Sequence, residues 1–267
     1  MGSSPFVGSN PTRSATLPAV KIFALCQFLL YYLKGVIMPS ADVISQLSSA
    51  ASRRLGGNLR LLALYGSGAD RPQEAHDLDF LLVVDAVENC VTHATRDCRV
   101  IFPSVQFFVL SVAEYKALPG FFRFQFAFAR LLEGNLELPI PTREDAVDSI
   151  THGFTDTLRT LRQQFKRREW AMGDDWVRQV WWNLKSFQYA SLDLCWLLRR
   201  ERPTEKNRAA LILEAQGLTH AARALSEWPD LEAAAQRLKR DPISWVMHWE
   251  PLIASAYSEV RAALRGK

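Results

Sequence analysis

Two aspartates one residue apart, Asp77 and Asp79, follow a glycine-serine pair, Gly66 and Ser67, across nine intervening residues. In an extended strand, residues two apart point to one face, so Asp77 and Asp79 present paired carboxylates while Leu78 and Phe80 face the other way. Two anions this close repel, and solvent or a divalent cation must neutralise them. Hard oxygen donors favour magnesium or manganese. Gly66 lets the backbone approach a phosphate with no side chain in the way, and Ser67 adds a hydroxyl and a backbone N–H as donors. A phosphate site and a metal site are therefore expected together.

The elements that must position these residues follow from the pattern around them. Val43, Ile44, Leu47, Ala50, Ala51 and Leu55 recur at helical spacing, with Ser40 as N-cap. Gly56-Gly57-Asn58 breaks that helix, and Leu59 to Tyr65 is an apolar run of strand length. Residues 66–76 are small, polar or turn-forming and read as a loop. A second strand is expected at Asp77 to Val84 and a third within Val100 to Leu110. After Ala113 to Leu118, the aromatic stretch FFRFQFAFARLLEG fits strand and helix alike, and its later half is assigned to helix. Pro139 and Pro141 mark a domain boundary. Beyond them Glu144 to Ala171, Asp174 to Arg200, Glu205 to Gln216, Ala221 to Leu238 and Ile243 to Leu264 predict a bundle of about five helices. Trp181, Trp182, Phe187, Trp196, Trp245 and Trp249 are expected in its core rather than on a base-stacking surface.

The order Tyr65-Gly66-Ser67, a loop, then Asp77-Leu78-Asp79-Phe80 resembles the signature of the DNA polymerase beta-like nucleotidyltransferase superfamily. The detailed resemblance covers residues 59–111. The layout, a minimal catalytic domain followed by helices, is similar to that of aminoglycoside nucleotidyltransferases. The resemblance implies an α+β protein: a small mixed-sheet nucleotidyltransferase domain at 38–140 and an all-α helical bundle at 141–267. It further implies that Asp77 and Asp79 hold Mg2+ or Mn2+ as metal ligands and catalytic residues. Gly66 and Ser67 would bind the nucleotide, an NTP substrate whose nucleoside monophosphate passes to a hydroxyl acceptor on a small molecule, protein or RNA.

Family members also supply a third carboxylate from a later strand. The aligned position in Ser104 to Leu110 is Gln106, a neutral residue that cannot act as a base. Glu114 is a possible substitute. Two readings therefore stand. One is an active transferase; the other is a catalytically impaired relative acting as a nucleotide-binding or antitoxin-like module. An acid from another segment beside Asp77 and Asp79 favours the first, and Gln106 without a replacement favours the second. The loop carries Gly68-Ala69 where smaller antitoxin-like members have arginine, and no Arg-x4–6-His ribonuclease motif accompanies it.

Composition narrows the surroundings. The chain has 267 residues, 48% of them hydrophobic, enough to fill a substantial core. Its net charge of +4 does not indicate nucleic-acid binding, but Arg159, Arg162 and Lys166 at helical spacing, followed by Arg167 and Arg168, could meet the triphosphate or a polyanionic acceptor such as RNA. Cys26, Cys90, Cys98 and Cys195 form no CxxC pair, which speaks against a disulfide framework or structural zinc and for a cytoplasmic location. The apolar run Ile22 to Leu33 is too short to span a bilayer. Gly8 to Ser14 is encodable by DNA opening GGTTCGAATCC, common in the T-arm of transfer-RNA genes. Residues 1–37 are accordingly expected to be a non-native or disordered extension, with synthesis starting at Met38.

Overall fold

The computed structural model describes residues 40–75, 77–164 and 174–265. The expectations for residues 1–37, Lys166, Arg167, Arg168 and the side chains of Trp181 and Trp182 lie outside the described residues. The described part is α+β, a four-stranded mixed sheet with eleven helices.

Helix α1 (Ala41–Leu55) opens at Ser40, whose side chain accepts the Val43 N–H at 3.3 Å. Strand β1 (Leu59–Tyr65) follows, then the short α2 (Ser67–Asp70), β2 (Leu78–Val84), α3 (Asn89–Ile101) and β3 (Val105–Ser111). Two short helices, α4 (Val112–Lys116) and α5 (Gly120–Phe126), lead to β4 (Arg130–Gly134). The sheet order is β3-β2-β1-β4; β2 and β3 run parallel and the other neighbours antiparallel. The central strands are apolar along almost their whole length because both faces of the sheet are covered.

Alternation sorts the two faces. Leu62, Leu64, Leu78, Phe80, Leu82, Val84 and Val105 pack against α1 and α3 through Ile44, Leu47, Val91 and Cys98. Leu61, Ala63, Leu81 and Val83 pack against Leu118 and Phe126 on the opposite face. Each such leucine or phenylalanine, buried completely, contributes roughly 1.5–3 kcal/mol.

The remaining helices are α6 (Arg143–Gln164), α7 (Asp174–Arg199), α8 (Lys206–Ala215), α9 (Thr219–Glu227), α10 (Leu231–Arg240) and α11 (Pro242–Arg265). Phe187, Trp196, Trp245 and Trp249 lie in their shared core, as their burial pattern requires. Helices α6 and α7 cross at Gly153, where an added Cβ would sit 2.6 Å from the Ala190 Cβ and the Ser186 carbonyl oxygen. Only glycine allows that approach. Helix α5 joins the sheet to the helices: Phe126 faces the sheet and Phe124 enters the helical core. Arg123, on the same helix, pairs with the buried Asp145 of α6.

Several expectations change. The later half of FFRFQFAFARLLEG is β4 rather than the expected helix, because β1 offers an edge on which Arg130 to Gly134 can pair, and its first half is helical. Ala221 to Leu238 is two helices, since Trp228-Pro229-Asp230 interrupts it and Asp230 caps the second by accepting the Ala233 N–H at 2.8 Å. The described helices after Pro141 thus number six. Residues 66–76 are not all loop, for they include α2 and a 3-10 turn at Pro72–Glu74. Helix α3 fills the crossover that parallel β2 and β3 require.

Candidate functional site

Strand β1 ends at Tyr65, and Gly66 turns the chain with φ of 70°, a left-handed value that favours glycine. A Cβ on Gly66 would meet the Asp79 Oδ2 at 3.2 Å. The turn therefore lies directly against the second aspartate of the pair. Ser67 begins α2 and is exposed, while Gly68 is buried against Leu78 and Leu64.

Asp77 sits in a bend immediately before β2 rather than in the strand, and Asp79 is the second residue of β2. Tyr65 pairs with Asp79 across β1 and β2, and Asp79 pairs with Gln106 across β2 and β3. Paired residues share a face, so Tyr65, Asp79 and Gln106 stand abreast on the face that carries Leu81 and Val83. Gln106 is exposed there. Glu114 does not replace it. Its carboxylate accepts from the backbone N–H and the hydroxyl of Ser111, both at 2.8 Å, as the α4 capping box. Ser111 pairs with Val84, five residues along β2 from Asp79, which is about 16 Å at strand rise. Among the described residues no group of three histidine, cysteine, aspartate or glutamate side chains is placed to hold a metal.

The electrostatics follow from this geometry. Burial pushes the Asp79 carboxyl up to about 7, Asp77 beside it pushes the same way, and the Lys185 ammonium of α7 opposes both. The Tyr65 phenol is raised chiefly by burial and then by Asp79. Tyr189 of α7 is pushed up to about 12 by burial and then Asp79, with Arg202 opposing. Both phenols are therefore neutral hydrogen-bond donors at physiological pH.

The helical half thus reaches the acidic pair, which the local motif did not reveal. Lys185, Tyr189 and Asp193 recur every four residues on α7, so they form one stripe of that helix. Asp193 is completely buried and accepts from the Ser149 hydroxyl at 2.7 Å and the Arg202 Nε at 2.9 Å. The spacing was the only sequence signal for this stripe. By contrast, Arg159 pairs with Asp156 along α6, and Arg162 pairs with Glu250 of α11 at 2.8 Å, so both arginines are engaged within the helical half. No helix among the described residues is long and apolar enough to cross a membrane.

The chain matches no protein-family model and no curated protein. In structure it is similar to a spectinomycin adenyltransferase from Enterococcus faecialis, solved with ATP and spectinomycin, at 14% identity and a TM-score of 0.46. That likeness covers 84% of this chain and 100% of the other. At this level it says nothing about chemistry, which rests on the residues themselves.

Proposed function

We propose that this protein is a metal-dependent nucleotidyltransferase that moves a nucleoside monophosphate from an NTP to a hydroxyl acceptor. The observation that carries the reading is the contact of the Gly66 turn with Asp79, which puts a bare backbone turn, Ser67 and two carboxylates in one place.

A divalent cation suits this donor set. A carboxylate that burial and a neighbouring carboxylate both push towards its protonated form, as Asp79 is, is neutralised most directly by a hard dication, and magnesium commonly takes one or two carboxylates and completes its shell with phosphate oxygens and water. Asp77 and Asp79 would hold it. Bound there, the ion would supply Lewis-acid neutralisation of charge on the triphosphate. The chain's own work is binding and orientation. Gly66 leaves room for the phosphates, Ser67 donates to them, and the Asp pair sets where the reacting phosphorus lies. Lys185 contributes positive charge on the same side.

Gln106 favours a second reading, a nucleotide-binding protein without transfer, because it stands abreast of Asp79 and offers no base. One experiment separates the two. The protein is incubated with each labelled NTP, magnesium and hydroxyl-bearing small molecules, protein or RNA, beside Asp79→Asn and Gln106→Glu. Label transfer lost in Asp79→Asn supports the transferase. Magnesium-dependent nucleotide binding without transfer, with transfer appearing in Gln106→Glu, supports the second reading. Transfer that survives Asp79→Asn removes the site.

A further inference from the structure

Backbone hydrogen bonds inside the 66–75 segment are local: the Ala69 N–H donates to the Gly66 carbonyl at 3.2 Å, Arg71 to Ser67 at 3.0 Å and Ala75 to Pro72 at 3.3 Å. Gly68, Ala69 and Ala75 pack onto the core beside β1 and β2, and the Arg71 side chain adds a polar link in another direction. The Arg71 Nη2 donates to the Thr204 carbonyl at 3.2 Å, across 133 residues of sequence.

Thr204 lies in the connection between α7 and α8, and that connection is held at three points. Arg200 closes α7 with φ of 59°, its N–H donating to the Trp196 carbonyl at 2.7 Å and its guanidinium lying 4.4 Å from the Trp196 ring centroid. The Arg202 guanidinium lies 4.8 Å from the Phe128 ring centroid while its Nε bonds the buried Asp193. Pro203, next in the chain, is buried. A charged hydrogen bond to a carboxylate with no solvent contact, backed by the Ser149 hydroxyl, is a strong anchor because either partner alone would be left desolvated.

We propose that Arg71 is a positioning residue that ties the Gly66–Ser67 turn to the helical half, with the Arg202–Asp193 pair anchoring the other end. Hydrogen bonds link Ser149 to Asp193 and Asp193 to Arg202, the backbone leads from Arg202 through Pro203 to Thr204, and hydrogen bonds link the Thr204 carbonyl to Arg71 and the Arg71 N–H to Ser67. The tie holds the turn that faces Asp79 in its position before any nucleotide arrives. Its role for nucleotide rests on the function proposed above, whereas its effect on the turn does not.

The test therefore reads the turn first. Amide hydrogen exchange is followed over residues 66–75 in the nucleotide-free full chain for wild type, Arg71→Ala, Arg202→Met and the double variant, with α3, which takes no part in this chain of bonds, as internal control. Loss of one side-chain hydrogen bond accelerates exchange of the locally bonded amides by about fivefold. Arg71→Ala should do so while α3 is unchanged, and the double variant should exchange no faster at 66–75 than Arg202→Met. Unchanged exchange in Arg71→Ala overturns the tie, as do effects of the two substitutions that multiply. Arg202→Met also strips a buried carboxylate of its partner; if that variant fails to fold, exchange in Arg71→Ala alone decides whether the tie exists. Magnesium-ATP affinity is measured on the same samples, and Arg71→Ala should weaken it severalfold. Faster exchange in Arg71→Ala, with no nucleotide bound even by wild type, leaves the tie standing and removes the proposed function.

Discussion

Replacing Asp79 by Asn should stabilise the metal-free protein above neutral pH. The carboxyl is held at about 7 in the fold against 3.8 ordinarily, by burial first and Asp77 second. The native state therefore keeps a proton over the window where the unfolded chain has lost it. With more protons bound in the native state, unfolding free energy falls as pH rises through that window, from about 4 to 7, and levels off above it. A shift of this size corresponds to a ceiling of about 4 kcal/mol. The partial exposure of Asp79 reduces this to about 1–2 kcal/mol. The neutral amide of asparagine mimics the protonated acid, so the variant should gain that amount at pH 8, roughly 2–6 °C in midpoint, and almost nothing at pH 4. Urea or thermal unfolding of both proteins at pH 4, 6 and 8, in the presence of a chelator, measures it. Equal differences at all three values, or a less stable variant at pH 8, would refute the electrostatic reasoning. Adding magnesium and nucleotide should then stabilise wild type and leave the variant unmoved.

Gly66→Ala should cost about 1–2 kcal/mol, since its positive φ strains any Cβ and that atom would press on the Asp79 carboxylate at 3.2 Å; urea unfolding checks the loss, and nucleotide affinity should fall with it. Arg162→Gln breaks only a largely exposed pair with Glu250. It should change stability by under about 1 kcal/mol and leave nucleotide binding intact, and a loss of binding would restore a substrate role to that arginine.

Local chemistry and periodicity were enough to determine the first helix and its Ser40 cap, strands β1 and β2, the glycine turn and the pair Asp77 and Asp79. Each depends on residues within a few positions of one another. The two-residue period also determined which side chains would share a face with Asp79. Strand β4 could not be recognised that way, because Arg130 to Gly134 becomes a strand only by pairing with β1 some seventy residues earlier. The break at Trp228 to Asp230 is legible in Pro229, yet the apolar periodicity on either side of it reads as one continuous helix. That Gln106 stands abreast of Asp79 was an alignment until the parallel β2–β3 register made it a position in space. Tertiary structure alone brought Lys185 and Tyr189 to the acidic pair, since they come from more than a hundred residues away and carry no motif. The acids are a matter of strand spacing; the raised proton affinity of Asp79 and its neighbours from the helical half are a matter of burial, which exists only once the helices have packed.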